Sequence, residues 1–163
     1  KLRKKWGFFH FPEFNQTKWL DFKNESDSKI VKNKSIEVFG SDINNFCIQS
    51  SMIHAKHAGV QNFIKFRNTD VKHWIPFSQN GLIITNPPYG IRLNQIKNLS
   101  SLYTDFGNIL KNHCEGFNAY LICGNRELIK NIGLRTSLKL PLKISKLDGR
   151  LVGFELYKGS KKA

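Results

Sequence analysis

The stretch Gly81–Tyr89 constrains this chain more than any other, because a short apolar run ends abruptly at two consecutive prolines. The run Gly81–Thr85 carries Leu-Ile-Ile and is typical of a strand that is buried on both faces of a sheet. Pro87 and Pro88 cannot donate ladder hydrogen bonds, and each pushes the preceding residue into an extended conformation. The strand must therefore end before them, and Asn86 must be held rigidly just beyond it.

Asn86, Pro87 and Tyr89 carry groups that suit one chemical task. In an open α/β sheet, ligands bind beyond the carboxyl ends of the strands, which is where this segment is expected to lie. A side-chain amide, a fixed backbone carbonyl at Pro87 and an aromatic ring could together hold a planar base by its exocyclic amine. The alternative is a simple turn, in which Asn86 only caps the Pro-Pro segment.

The composition favours a globular domain with a polyanionic partner. The 163 residues suffice for one domain with a substantial core, and a hydrophobic content of 40% argues against disorder. With 26 Lys plus Arg against 12 Asp plus Glu, the formal net charge is +14, which indicates nucleic acid or simply a basic, solvated surface. A membrane partner fits less well, because there is no signal peptide, no basic amphipathic helix and no apolar run of about 20 residues.

The cysteines and histidines predict no metal site and no disulfide framework. Cys47, Cys114 and Cys123 lack paired metal-ligand spacing, and we expect Cys47 and Cys123 to be core thiols in a reducing cytoplasm. His54 and His57 have helical i,i+3 spacing, but no third ligand lies near them in sequence. We therefore expect no metal.

Strands and helices alternate along the chain and close on a hairpin, which is an α/β pattern. We expect strands at 36–42, 62–66, 81–85 and 117–123. Helices are expected around 16–31, after Asn44, from Leu102 and over 126–132, with a polar loop at 94–100. The last two strands, 138–146 and 151–158, are expected to be joined at Asp148-Gly149. The aromatic residues of the first 35 could stack on bases, but we expect them to pack against the domain.

The run Asn86-Pro87-Pro88-Tyr89-Gly90-Ile91-Arg92-Leu93 resembles a motif of a known enzyme family. Its first four residues are similar to motif IV of the S-adenosylmethionine (AdoMet)-dependent methyltransferases that modify exocyclic amines of nucleobases. The longer run resembles the guanine-N2 RNA methyltransferases of the ribosomal RNA large subunit methyltransferase L type. The resemblance extends from about Trp6 to about Tyr157.

This resemblance implies a Rossmann-like class I methyltransferase fold, represented by its C-terminal portion with a mostly parallel sheet and an antiparallel terminal hairpin. The glycine-rich motif I and the first, central strand of the family would precede Trp6, so we expect the given chain to lack them. Residues 1–35 would form a basic, aromatic connecting segment, and 36–163 a partial methyltransferase domain. Members of the family often carry an RNA-binding THUMP domain further upstream.

Two isolated carboxylates stand out in so basic a chain. Asp70 is the only acidic residue between Ile43 and Thr104, and Asp42 stands just before that window. Each follows a predicted strand, and a ribose diol or an adenine amine would supply donors for its oxygens. The resemblance implies that Asp42 and Ile43 bind the ribose of AdoMet, and that Asp70 and Val71 bind its adenine. Alternatively, each acid caps a helix or pairs with a surface lysine.

The resemblance further implies methyl transfer to guanine N2, in large-subunit ribosomal RNA. Asn86, which also contacts the cofactor, and Pro87 would accept the two hydrogens of the amine and stabilise positive charge on its nitrogen. Pro88 would complete the rigid segment, and Tyr89 would stack on the flipped base. Arg92 would hold a neighbouring phosphate or brace the loop. Adenine-N6 methylation and a non-catalytic RNA-binding remnant of the family stay open as alternatives.

Overall fold

The computed structural model describes residues 5–31, 36–89, 96–144 and 147–159. They belong to two compact units, Lys1–Asn68 and Thr69–Ala163, each of which has its own sheet. None of the helices in the described part of the chain is long and apolar enough to span a bilayer.

The first unit is built on two parallel strands, β1 (Val38–Asp42) and β2 (Ile64–Asn68), which are in register along their whole length. Helix α1 (Gln16–Ser28) precedes β1, and helix α2 (Asn45–Ala58) connects the two strands. Strand β2 begins two residues later than predicted, because a turn of 3-10 helix occupies Gln61–Phe63. Within the described residues, β1 pairs only with β2.

The ends of α2 follow the predicted signals. Asn44 caps the helix by accepting a hydrogen bond from the backbone N–H of Phe46, and Gly59 ends it with a φ of 73°. Glycine adopts this left-handed conformation without strain, as a C-terminal stop requires. Six aromatic rings, four ahead of α1 and two on it, form a chain of ring contacts with centroid separations of 4.7 to 6.2 Å: Trp6, Phe8, Phe9, Phe14, Trp19 and Phe22.

The second unit carries a four-stranded sheet with the strand order β3-β4-β6-β5. Strand β3 (Gly81–Thr85) runs parallel to β4 (Phe117–Cys123). Strand β6 (Leu147–Glu155) is antiparallel both to β4 and to β5 (Leu138–Ile144). The predicted α/β class and the antiparallel terminal hairpin are confirmed.

Helices α3 (Ile96–His113) and α4 (Arg126–Lys130) contribute to the core of the second unit. Strand β4 alternates buried and more exposed residues, so its inward side chains meet those of α3, α4 and β6. The largest fully buried side chains are Tyr103, Leu110, Leu121, Leu128, Val152, Cys114 and Cys123.

Two local predictions were wrong. Asp148 and Gly149 do not form the hairpin turn but lie inside β6, opposite Lys143 and Leu142. The connection between the two strands falls at 145–146, outside the described residues. The polar loop expected at 94–100 is helical from Ile96 onward, and the rest of it lies outside the described residues.

Two burial predictions were also wrong. Cys47 is exposed on α2, although Cys123 is buried as expected and Cys114 is buried as well. Strand β3 is not covered on both faces, because Leu82 and Ile84 are 61% and 69% exposed. Only Ile83, on the other face, packs against the core.

Replacing Gly107 with alanine should destabilise the second unit strongly. An added Cβ would lie 2.0 Å from the carbonyl oxygen of Ile132, so α3 could not keep its place against the segment after α4. We expect a loss of about 3 kcal/mol in the free energy of unfolding, measured by denaturant titration of the intact protein. Asn108→Ala, at the adjacent exposed position of the same helix, is the control and should change stability little. Equal stability of the two variants would contradict this account of the packing.

Candidate active site

Strand β3 stops at Thr85, which is opposite Leu121, while its neighbour β4 continues for two more residues to Cys123. The segment 86–89 has no regular secondary structure, as the two prolines require. The predicted end of the strand is therefore correct. It leaves the Asn-Pro-Pro-Tyr segment at the carboxyl edge of the sheet, beside the last residues of β4.

The four residues of this segment differ in how firmly the protein holds them. Asn86 is exposed, and no other described residue forms a hydrogen bond with its side-chain amide. Pro87 is half-buried and Pro88 is exposed. Tyr89 is half-buried, and its side chain packs against the buried core. The segment thus presents an uncommitted amide on an anchored backbone. Arg92 and its neighbours Gly90, Ile91 and Leu93 lie outside the described residues.

A buried hydrogen-bond network lies close to this segment. The Tyr103 hydroxyl lies 3.2 Å from Cys123 Sγ, and the thiol donates to the Asn125 carbonyl at 3.1 Å. Since a thiol has one hydrogen, the tyrosine hydroxyl must donate to the sulfur. Asn125 in turn caps α4 by accepting from the backbone N–H of Glu127. The network connects α3 to the turn after β4, and the sequence contained no signal for it beyond the apolar setting of Cys123.

Burial raises the pKa of Tyr103 far above its ordinary value of 10.0. The hydrogen bond with Cys123 and the proximity of that thiol and of Tyr89 add to the shift. The cause is that a phenolate would lose its hydration in the core without gaining a cation. Tyr103 therefore stays neutral and keeps its role as a hydrogen-bond donor. Its electrostatic interaction with Tyr89 indicates that the network lies close to the Asn-Pro-Pro-Tyr segment.

Asp42 is the last residue of β1, in the first unit. Its Oδ1 accepts the backbone N–H of Asn44 at 2.7 Å, while Oδ2 receives no hydrogen bond from another described residue. Asn68, at the end of β2, donates from Nδ2 to the carbonyl oxygens of Asp42 and Ile43 at 2.9 and 2.8 Å. The turn that carries the exposed side chains of Asp42 and Ile43 is thus clamped from the neighbouring strand. Nothing in the sequence singled out Asn68 for this role.

Asp70 is the second residue of the second unit and caps the 3-10 helix Val71–His73. Its Oδ1 accepts the backbone N–H of Lys72 at 2.9 Å, so the capping alternative considered for this residue is correct for one oxygen. Val71 is half-buried beside it. The ammonium of Lys72 lies 3.5 Å from Asp105 Oδ2 on α3, which ties this turn to the core helix.

The predicted site residues are therefore divided between the two units. Asp42 and Ile43 belong to the first unit, while Asp70, Val71 and the segment 86–89 belong to the second. Every one of these positions lies at or just after the end of a strand, as predicted. Among the described residues, no group of three or more His, Cys, Asp or Glu side chains could hold a metal ion.

Comparison with known proteins finds one matching family and several similar structures. The family model described as UPF0020, an RMKL-like methyltransferase domain, matches residues 3–152. The chain is 31% identical over 156 residues to the Ribosomal RNA large subunit methyltransferase K/L of Pseudoalteromonas atlantica, covering 94% of this chain and 22% of that protein.

Two solved structures resemble the chain closely in fold. A candidate methylase from Clostridium difficile superposes with a TM-score of 0.79 at 25% identity, covering 91% of this chain and 39% of that one. The candidate methyltransferase SMU.472, solved with SAH, superposes with a TM-score of 0.80 at 19% identity, covering 96% of this chain and 41% of that one. These likenesses confirm the Rossmann-like methyltransferase fold. The chain spans less than half the length of each of these three relatives.

Asn68→Ala should loosen the turn that carries Asp42. The substitution removes both hydrogen bonds to the turn, at a cost of roughly 1–2 kcal/mol in local stability. We expect the backbone amide of Asn44 to exchange hydrogen for deuterium faster in the variant. Lys65→Ala, on the same strand as Asn68, removes an exposed ion pair with Glu37 and a contact with the Phe39 ring but no hydrogen bond to the turn, so it should leave that exchange unchanged. Unaltered exchange in Asn68→Ala would refute the clamp.

The raised pKa of Tyr103 predicts a loss of stability at high pH. Above pH 10.0 the unfolded chain releases the Tyr103 proton while the folded protein retains it, so the free energy of unfolding falls as pH rises. Tyr103→Phe should reduce this slope by about 1 kcal/mol per pH unit, measured by urea titrations at several pH values. Ile132→Val, which trims a buried side chain of the same core without removing a titratable group, should lower stability but keep the wild-type slope. The same slope in wild type and Tyr103→Phe would contradict the assignment.

Proposed function

The chain belongs to the UPF0020 family of RMKL-like methyltransferase domains, and we propose that it transfers a methyl group from AdoMet to guanine N2 in large-subunit ribosomal RNA. The family membership and the names of its relatives support an RNA substrate. The observation that carries the proposal is the side-chain amide of Asn86. It forms no hydrogen bond with another described residue, and it lies on a segment made rigid by two prolines. Such an amide is suited to bind an amine of a base.

The donor and acceptor chemistry of the described residues fits AdoMet. Asp42 and Asp70 each commit one oxygen to a backbone N–H, which orients the carboxylate and leaves the other oxygen for a ligand donor. Asp42, with Ile43, would bind the ribose hydroxyls, and Asp70, with Val71, would bind the adenine amine. When bound, AdoMet supplies a methyl group that its sulfonium makes electrophilic. SAH, found in the similar SMU.472 structure, is what AdoMet becomes after transfer.

Asn86 and Pro87 would raise the reactivity of the target amine. The lone pair of guanine N2 is delocalised into the ring, so the free amine is a poor nucleophile. If Asn86 Oδ1 and the Pro87 carbonyl accept its two hydrogens, the nitrogen becomes pyramidal and recovers its lone pair. The same two oxygens stabilise the positive charge that develops on nitrogen. Alignment of the amine with the methyl group contributes the rest, as proximity.

Tyr89 and Pro88 would form the remainder of the base site. The packing of Tyr89 against the core fixes the ring, while its half-exposed part can stack on a flipped base. Stacking of this kind is worth roughly 1–3 kcal/mol, which is comparable with the cost of unstacking the base. Arg92, which lies outside the described residues, would hold an adjacent phosphate or brace the loop.

The proposed organisation is a connecting segment over 1–35 and the cofactor-binding and base-binding part of a methyltransferase domain over 36–163. The relatives are more than twice as long as this chain, and the activity is proposed for the intact protein. We expect that protein to act in the cytoplasm on RNA, without a metal, and an upstream THUMP domain would supply further RNA contacts.

Adenine-N6 methylation is the second candidate function, since the amide and the carbonyl of the Asn-Pro-Pro-Tyr segment fit either amine. Only the run 90–93 distinguishes the two by resemblance, and it lies outside the described residues. A basic RNA-binding protein without catalysis is the third candidate, favoured by the net charge of +14.

Asn86→Ala in the intact protein should reduce methyl transfer to RNA about 10²–10³-fold, because one stabilising acceptor is lost. AdoMet affinity, measured by calorimetry, should change far less, since most of the proposed cofactor contacts are elsewhere. Asn80→Ala, at an exposed asparagine before the other end of β3, is the matched control and should retain the wild-type rate.

The same assay separates the three candidates. Mass spectrometry of the nucleosides should find N2-methylguanosine, whereas N6-methyladenosine would establish the second candidate. An intact protein that binds no AdoMet would favour the non-catalytic one. A wild-type rate in Asn86→Ala would remove Asn86 from the reaction.

A further inference from the structure

The terminal hairpin projects beyond the edge of the sheet at which the Asn-Pro-Pro-Tyr segment lies. Strand β6 pairs with β4 only as far as Arg150, which is opposite Cys123, the last residue of β4. The preceding residues 147–149 pair with β5 alone and continue past the end of β4. Because β6 is antiparallel to β4, they extend beyond the carboxyl edge of the sheet.

Cations from α4 and from both strands of the hairpin lie near one carboxylate on this projection. Arg126 Nη2, from α4, contacts Asp148 Oδ2, and Arg150 Nη1 contacts Asp148 Oδ1. Arg150 Nη1 also donates to the Gly149 carbonyl at 2.8 Å. Lys143 is directly opposite Asp148 in the ladder, and opposed residues share a face of the sheet. We call Arg126, Lys143, Asp148 and Arg150 the hairpin cation group.

The hairpin cation group has a net positive charge and more N–H donors than Asp148 and Gly149 engage. The group contains three cations and one carboxylate, of which the two arginines contact the carboxylate, so it keeps a positive charge. Each guanidinium has five N–H donors. Asp148 accepts from one nitrogen of each arginine, and the Gly149 carbonyl accepts from the same nitrogen of Arg150, Nη1, which carries two hydrogens. The side chains of Arg126 and Asp148 are 53% and 67% exposed, so this contact adds little to stability. A role in binding an anion accounts for the arrangement better than a role in folding.

The position of the group matches that of the proposed base site. Cys123 and its partner Arg150 lie two residues beyond the level of Thr85, where the segment starting at Asn86 leaves β3. Two strand spacings, about 10 Å in total, separate β3 from β6 across the sheet. That distance is comparable with the size of a nucleotide. A base held by Asn86 would therefore have a flanking phosphate within reach of the hairpin.

We propose that the hairpin cation group binds phosphates of the RNA beside the target nucleotide, with Asp148 holding the two guanidinium groups in place. Paired guanidiniums suit phosphate oxygens because their donors match the geometry of the anion. This assignment rests on the proposed function for the location of the base, but binding of RNA by the group does not require methyl transfer.

The test is the salt dependence of RNA binding by the intact protein, followed by fluorescence anisotropy with a labelled single-stranded oligoribonucleotide. Arg126→Gln and Arg150→Gln should each weaken binding and reduce the slope of log K against log salt by about 0.7. Lys130→Gln is the matched control, because it removes an exposed cation one turn away on α4 that pairs with Glu127. It should leave the slope unchanged.

Asp148→Asn distinguishes phosphate binding from a structural role. If the arginines bind phosphate, the amide oxygen of the new asparagine can still accept from a guanidinium while the repulsion between carboxylate and phosphate is lost, so RNA affinity should be retained or increased. If the group only fixes the hairpin to α4, Asp148→Asn should weaken RNA binding as much as the arginine variants do, which would overturn the proposal. Unchanged slopes in both arginine variants would also overturn it. Should Arg150→Gln not fold, Arg126→Gln carries the test through its more exposed side chain.

AdoMet affinity keeps this proposal separate from the proposed function. It should stay at the wild-type value in all four variants, since none of the substituted residues lies among the proposed cofactor contacts. Reduced slopes in a protein that binds no AdoMet would support the hairpin site and reject the methyltransferase assignment. Methyl transfer by the intact protein, together with unchanged slopes in the arginine variants, would support the methyltransferase assignment and reject the hairpin site.

Discussion

The unequal length of two neighbouring parallel strands is the constraint on which the rest of the site depends. Strand β3 ends at Thr85 because the prolines that follow cannot extend its ladder, while β4 continues to Cys123. This difference in length leaves Asn86 outside the hydrogen-bonded sheet but attached to its last residue. A free loop would hold the amide less firmly, and a continued strand would commit the backbone carbonyl of Pro87 to a ladder. Two prolines at this point make the segment rigid without using the Pro87 carbonyl in a ladder hydrogen bond.

The sequence predicted the parts of the site that depend on local backbone chemistry. Proline ends a strand and asparagine caps a helix whatever surrounds them, so the end of β3 and the cap at Asn44 are correct. Asp70 shows the limit of such reasoning. Its two predicted roles, ligand and cap, are compatible, because a carboxylate can cap a turn with one oxygen and keep the other. The sequence alone does not show that one carboxylate oxygen caps a turn while the other is left for a second partner.

The wrong predictions share a physical cause, which is that distant pairing overrides local signals. Asp148-Gly149 is a strong turn dipeptide, but β6 must stay in register with both β4 and β5, and this places the dipeptide inside the strand. Likewise, the Leu-Ile-Ile run specifies a strand without specifying what covers each face, and Leu82 and Ile84 stay exposed in the described structure. The bond between Tyr103 and Cys123 joins elements 20 positions apart, so no local pattern could announce it.

Three aspartates illustrate how the protein assigns different work to one side chain. Asp42 and Asp70 are oriented by backbone N–H groups, and no cationic side chain among the described residues pairs with either. Asp148 is contacted by two guanidiniums and so neutralises part of their charge. In a chain with a net charge of +14, an exposed acid close to lysine or arginine is readily drawn into an ion pair, as Asp148 is. Orientation by the backbone avoids this and leaves an oxygen for donors on a ligand. Asp148, between two arginines, instead orients cations. The first two acids therefore suit the donors of a neutral diol or amine, whereas the third acts through the arginines beside it.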